Sequence, residues 1–135
     1  MENYIWEHDT KVICVKADSF PAGIAPAFQQ LHTSVGATAV PRQYLGLSRP
    51  ENGIITYYAA TVEATPGEAE SVGLPVIILK SGNYLSISIP DFMKEIESIG
   101  KAFTLLTSQP GLDPEGYCIE RYTNDKDVHC MVRLA

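Results

Sequence analysis

Two apolar stripes of helical period, each preceded by an apolar residue and a proline, constrain this chain most. Ile24, Phe28, Leu31 and Val35 follow the spacing i, i+4, i+7, i+11, which predicts an amphipathic helix over about 23–35. Pro21 precedes it, Pro26 falls in its first turn, where a missing N–H costs least, and Gly36 is a stop signal. Phe92, Ile96, Ile99 and Phe103, continued by Leu106, predict a second helix over about 91–108, with Pro90 before it, Asp91 as its N-cap and Gln109-Pro110-Gly111 at its end. A constant spacing of about 68 residues superimposes the stripes. Each helix follows a β-rich run (ending Phe20-Pro21 and Ile89-Pro90). Each precedes a strand opening with tyrosine (Tyr44, Tyr117) and then one more strand. The expected fold is therefore α+β, a duplicated β-α-β-β unit with pseudo-twofold symmetry, its pseudo-repeats over about 11–64 and 76–134 within one domain, 1–135.

The expected strands are Lys11 to Ala17, Gln43 to Ser48, Ile54 to Glu63, Val76 to Leu79, Tyr84 to Ile89, Tyr117 to Thr123 and Val128 to Leu134. Asn52-Gly53 reads as a hairpin turn, 124–127 as another, and Thr65 to Ser71 as a polar linker between the halves. In Tyr84 to Ile89 the residues Leu85, Ile87 and Ile89 share one face and should pack on a helix; Tyr84, Ser86 and Ser88 face solvent or a wet cavity. Cys118, Glu120 and Tyr122 share a face opposite Tyr117, Ile119 and Arg121. Only one face of such antiparallel sheets needs helix cover, so function is expected on the other.

At 45% hydrophobic residues the 135-residue chain can build a core for one domain. Ten basic against sixteen acidic residues give a net charge of −6, with no basic run, which argues against direct nucleic-acid binding. No apolar stretch nears the roughly 18 residues that would span a membrane, and residues 1–8 lack the pattern of a secretory signal. Three cysteines without CxxC spacing argue against a disulfide framework or a metal site, and the expected compartment is the cytoplasm. Cys14 and Cys130 read as small buried side chains.

The chain has no GxSxG, P-loop or GxGxxG pattern, and His8, His32 and His129 have no ligand spacing. The aromatic content is more informative: seven tyrosines, six of them on expected strands (Tyr44, Tyr57, Tyr58, Tyr84, Tyr117, Tyr122). Tyrosine favours strands, and it also suits a pocket for a flat or cationic ligand. Glu120 is the sharpest single residue, a carboxylate in mid-strand where glutamate is depleted. It reads either as a cation anchor or general base in a cavity, or as a solvated edge residue paired across strands with a Lys or Arg. Glu95 and Glu97 read as a solvated helix face, with Glu97 and Lys101 an i,i+4 pair.

With Gly82-Asn83-Tyr84 opening the second half and Glu120-Arg121-Tyr122-Thr123-Asn124-Asp125 near the end, the chain resembles the GyrI-like small-molecule-binding family. That family includes the effector-binding domains of bacterial AraC-type and MerR-type multidrug-sensing transcription regulators. The resemblance covers about Lys11 to Leu134. It implies two β-α-β-β units around a central ligand cleft, where a buried glutamate among aromatics attracts lipophilic cations. That role would fall on Glu120, with Tyr122 beside it and Tyr58, Tyr57 and Tyr84 as walls. The chain departs from the family in having no room for a helix-turn-helix domain, so regulation would need a partner protein. It also lacks a His-x-Gly-Pro-Tyr-like approach to the second helix in Leu85 to Phe92.

The leading expectation is a standalone module for a small, partly aromatic, cationic ligand, with no cofactor and no metal. One alternative is a hydrolase of cyclopropane-bearing genotoxic natural products using the same glutamate. Another is an inhibitor that binds DNA gyrase or a different basic protein, to which the acidic balance is suited. A homodimer is left open.

Overall fold

The structure, a computed structural model, describes residues 1–36, 42–94, 97–123 and 126–135. Ile96 of the second stripe, Glu95 of the expected solvated helix face, and Asn124 and Asp125 of the last turn lie outside the described residues. The elements in chain order are β1 (Glu2–Trp6), β2 (Thr10–Lys16), α1 (Ile24–Ser34), β3 (Tyr44–Glu51), β4 (Ile54–Val62), α2 (Glu68–Val72), β5 (Val76–Leu79), β6 (Gly82–Ile89), α3 (Glu97–Thr107), β7 (Cys118–Tyr122) and β8 (Val128–Arg133). The fold is α+β. Its strands form one sheet in the order β1-β6-β8-β7-β3-β4-β2-β5, every pairing antiparallel, so the plural sheets expected from the sequence are a single one.

The sheet curls into a half-barrel. Residues of β5 (Ile77, Leu79) and of β6 (Tyr84), which lie near opposite ends of the strand order, line one cavity of about 270 Å³. The inside of the curl is filled by Val12, Cys14, Leu45, Leu47, Ala60, Leu79, Tyr84, Ile119 and Met131, all buried. The other face is covered by helices. Ile13, Val15, Tyr57 and Ala59 pack with Ala27, Leu31 and Val35 of the α1 segment, and with Ala69 of α2. Val128, Cys130 and Val132 pack with Ala102 and Leu106 of α3, flanked by Leu85, Ile87 and Ile89. Both sheet faces are thus buried over much of their area. Tyr84 and Ser86, expected in solvent or a wet cavity, are 2% and 6% exposed because curling closes the helix-free face upon itself.

The helix α1 lies where its stripe predicts, with Gly23 at its N-cap and Val35 at its C-cap. The start of the second predicted helix differs. Asp91 takes a left-handed conformation (φ 49°) and Phe92–Lys94 form a single 3-10 turn. The Phe92 amide donates to the Lys126 carbonyl at 2.9 Å and the Asp91 amide to the Asp127 carboxylate at 3.1 Å. These bonds tie the turn to the β7–β8 hairpin and hold it in the 3-10 form. The spacing of 68 is also displaced. The buried pair Ala102 and Leu106 of α3 follows Ala27 and Leu31 of α1 by 75 residues. A 3.6-residue period nearly recurs after seven residues, so stripes matched on apolar spacing alone are ambiguous by two turns.

Two elements have no counterpart among the expectations. Strand β1 pairs with β6, and the segment expected as a linker holds α2, which ends on the left-handed Gly73 (φ 77°). The β3–β4 hairpin turns on Asn52 and Gly53, both with positive φ (54° and 79°), as a two-residue turn requires. Among the described residues no helix is long and apolar enough to cross a membrane.

Candidate functional site

Strands β7 and β3 are the two middle strands of the sheet, and Glu120 sits between Gly46 of β3 and Cys130 of β8. This is a mid-sheet place, not an edge. No Lys, Arg or His forms an ion pair with Glu120 among the described residues. Its partners are tyrosines. The Tyr122 hydroxyl donates to Oε1 at 2.6 Å and the Tyr57 hydroxyl donates to the same oxygen at 3.0 Å. Burial, reinforced by the negative Glu120, pushes both phenols well above the ordinary phenol value, so both keep their protons and act as donors. The second oxygen, Oε2, accepts no hydrogen bond from the described residues.

Gly46 makes this arrangement sterically feasible. A Cβ on it would lie 2.0 Å from the Tyr57 hydroxyl oxygen and 2.6 Å from Oε1 of Glu120. Glycine within a strand often marks such a close approach. Here the missing side chain lets the Tyr57 ring cross β3 to reach β7.

Phenyl rings surround the two tyrosines. Phe28 of α1 stands edge-on to Tyr57 (centroids 6.4 Å apart) and to Tyr122 (6.2 Å). Phe92 of the 3-10 turn lies 5.6 Å from Tyr122, and Phe20 lies 5.9 Å from Tyr57. Tyr44 meets Phe28 edge-on at 6.5 Å, and its hydroxyl lies 3.0 Å from Nδ1 of His32. The carboxylate therefore sits on the helix-covered face; it is half-buried rather than buried as expected, and the rings of Phe28 and Phe92 pack on its two tyrosine partners. The helix-free face, where function was expected, holds the inner core and the cavity of about 270 Å³.

The structure brings Glu120, Tyr57 and Tyr122 together. It does not bring Tyr58 or Tyr84 to them. Tyr58 follows Tyr57 and so points to the opposite face, where its hydroxyl donates to Glu51 at 3.3 Å. Tyr84 lies inside the curl, donates to the Lys80 carbonyl at 2.7 Å and packs on Trp6. Sequence reasoning missed Gly46, although a glycine inside an apolar strand was a usable signal. It also missed Phe28 and Phe92 as site residues, because both fall on stripes that read as core.

A pocket of about 710 Å³ borders this cluster, lined by Lys16, Phe20, Glu51, Ile54, Ile55 and Tyr57 among others. Phe20 and Tyr57 are shared between the pocket and the cluster. Among the described residues no group of three His, Cys, Asp or Glu side chains could hold a metal ion.

No protein-family model and no curated protein sequence matches the chain. Solved structures do. One is described as a hydrolase from Listeria innocua, with a TM-score of 0.63, 11% identity, and coverage of 99% of this chain and 90% of that one. An integron cassette protein from the mobile metagenome of Vibrio cholerae aligns with a TM-score of 0.67 at 12% identity, over 99% of this chain and 95% of that one. The protein SAV2435, solved bound to tetraphenylphosphonium, aligns with a TM-score of 0.66 at 14% identity, over 100% and 94%. The shared property is the fold. At such identities the likeness extends to the curled antiparallel sheet and not to individual residues.

Proposed function

We propose that this chain is a small-molecule-binding domain that holds a partly aromatic, cationic ligand against Glu120. The observation that carries the reading is a mid-sheet carboxylate with no cationic partner among the described residues, bonded by two tyrosines on which phenylalanines pack. A carboxylate in such surroundings gains from a cation, and the rings add roughly 0.5–2 kcal/mol for each cation–π contact. Oε2 is the oxygen left for the ligand. Glu120 is half-buried, and the 710 Å³ pocket that shares Phe20 and Tyr57 with the cluster is the approach. That a protein of the same fold was solved with tetraphenylphosphonium, a lipophilic aromatic cation, supports this ligand class.

Strand order supports a duplicated origin. Exchanging each of β1 to β4 with the strand four places later reverses the order β1-β6-β8-β7-β3-β4-β2-β5 onto itself. In that reading the site lies where the two halves meet, at β3 and β7, the central cleft of a GyrI-like domain.

The test is a calorimetric titration with tetraphenylphosphonium. Glu120→Gln keeps the shape and removes the charge, and should weaken binding at least about tenfold. Equal affinity in that variant, or no binding to the unaltered protein, defeats the reading.

A hydrolase is the second reading, favoured by the description of one fold relative. Glu120 would then deprotonate water through Oε2 while the tyrosines hold Oε1. Incubation with a cyclopropane-bearing alkylator distinguishes the two: ring opening that depends on Glu120 supports hydrolysis, and intact compound rules it out.

A further inference from the structure

The chain has four arginines, and three are paired with carboxylates: Arg42 with Glu68, Arg49 with Glu51, and Arg133 with Asp113. The fourth, Arg121, has no carboxylate partner among the described residues. Its guanidinium is held by neutral groups alone, donating to the Tyr4 hydroxyl at 2.7 Å and to Oε1 of Gln43 at 3.2 Å. Its central carbon lies 5.7 Å from the ring centres of both Tyr4 and Trp6. In a chain of net charge −6, leaving this one guanidinium without an anion calls for an explanation.

The surroundings supply one. Arg121 lines a groove of about 560 Å³ together with Tyr4, Trp6, Thr10, Gln43 and Val62, with Glu7 and His8 also present. That volume falls within the usual range of small-molecule sites, roughly 300–1,000 Å³. The groove opens on the opposite sheet face from Glu120, because consecutive residues of β7 point opposite ways. The Trp6 ring is fixed by a bond from its Nε1 to the Thr10 hydroxyl at 2.8 Å and by packing on Tyr84 at 5.7 Å. Two of the five guanidinium N–H donors are used by Tyr4 and Gln43, and these orient the fork and leave donors for a two-oxygen anion.

We propose that this groove is a second ligand site, for a small aromatic carboxylate, with the carboxylate on Arg121 and the ring against Trp6 and Tyr4. The site is independent of the cation site at Glu120. A guanidinium with spare donors recognises a planar carboxylate by two parallel bonds, and a fixed indole offers the adjoining apolar wall.

Trp6 is the chain's only tryptophan, so its emission reports on this groove directly. Benzoate should change the Trp6 emission saturably. Benzyl alcohol, which lacks the charge, and inorganic phosphate, which lacks the ring, should each bind at least about tenfold more weakly. Arg121→Gln should weaken benzoate at least about tenfold, and Arg121→Lys should weaken it too, because an ammonium keeps the charge but not the fork. Glu120→Gln should leave benzoate affinity unchanged. The proposal is overturned if benzoate leaves the Trp6 emission unchanged, if benzyl alcohol binds as well as benzoate, or if a folded Arg121→Gln protein retains the affinity. The comparison of probes on the unaltered protein decides the matter even if no Arg121 variant folds. Failure of tetraphenylphosphonium to bind would count against the Glu120 site alone.

Discussion

Gly46 faces Glu120 across the β3–β7 pairing, and the hydrogen on its Cα is what leaves room for the Tyr57 hydroxyl to reach the carboxylate. A methyl group there would stand 2.0 Å from the tyrosine oxygen, and the Tyr57 ring, 1% exposed, is packed against Phe20 and Phe28. Gly46→Ala should therefore lower stability by about 1–3 kcal/mol and weaken tetraphenylphosphonium binding as well. Urea unfolding and the titration check the two parts separately. Wild-type stability in this variant would mean that the ring moves freely and that the close approach is not a constraint.

Tyr57 and Tyr122 both donate to one oxygen of Glu120. Removing either hydroxyl by Tyr57→Phe or Tyr122→Phe should cost about 1.5–3 kcal/mol, the range for a hydrogen bond to a charged group. The double variant should cost more than the two singles added together if each tyrosine partly compensates for loss of the other. A double-mutant cycle by urea unfolding measures this coupling directly. Strict additivity would show that the two hydroxyls act independently.

Acid should destabilise the fold through carboxylates remote from the site. Bonds from Arg42, then the Ala64 amide, hold Glu68 below the usual glutamate range. The Glu115 amide, then Arg133, does the same for Asp113. A carboxylate whose value is lowered by folding contributes stability that is present above its unfolded value, about 4 for both types, and lost as pH falls through the lower folded value. Stability should thus be level from neutral pH down to about pH 5 and fall below that. Glu68→Gln should reduce the stability lost between pH 5 and pH 3, since it removes one of the groups responsible. Urea midpoints across that range test both statements, and an unchanged acid slope in Glu68→Gln would remove the Arg42 pair from the explanation.

The cysteines should be inert in the folded state. Burial pushes the thiols of Cys14 and Cys130 up to about 12 and raises that of Cys118. The thiolate is the reactive form, so a disulfide reagent at pH 8 should label Cys14 and Cys130 at least about a hundredfold more slowly than it does in the unfolded chain. Three thiols should react once denaturant is added. Rapid labelling of the native protein at either position would show that the core opens locally.

How much of this was legible beforehand depended on whether a feature is encoded locally. Asn52-Gly53 marked its hairpin because few other residues accept two positive φ angles in succession. The stripe of α1 marked its helix because Ile24, Phe28, Leu31 and Val35 share one face at the helical period. Strand β1 was not legible, since Glu2 to Trp6 has little alternation and becomes a strand through pairing with β6. The beginning of the second helix was misread because Asp91 and Phe92 are held by Lys126 and Asp127, more than thirty residues away.

The same division runs through the candidate site. By itself the sequence determined that Glu120 and Tyr122 share a strand face, that Tyr57 and Tyr58 cannot, and that a carboxylate stands where strands seldom hold one, because strand periodicity is a property of the local backbone. Only the tertiary structure decided that helices cover the Glu120 face of β7, that Gly46 lies opposite Glu120, and that Arg121 lines an open groove with Trp6. Those outcomes depend on which strands become neighbours and on how far the sheet curls. Both follow from packing eight strands and their helices together, and no local stretch of residues encodes them.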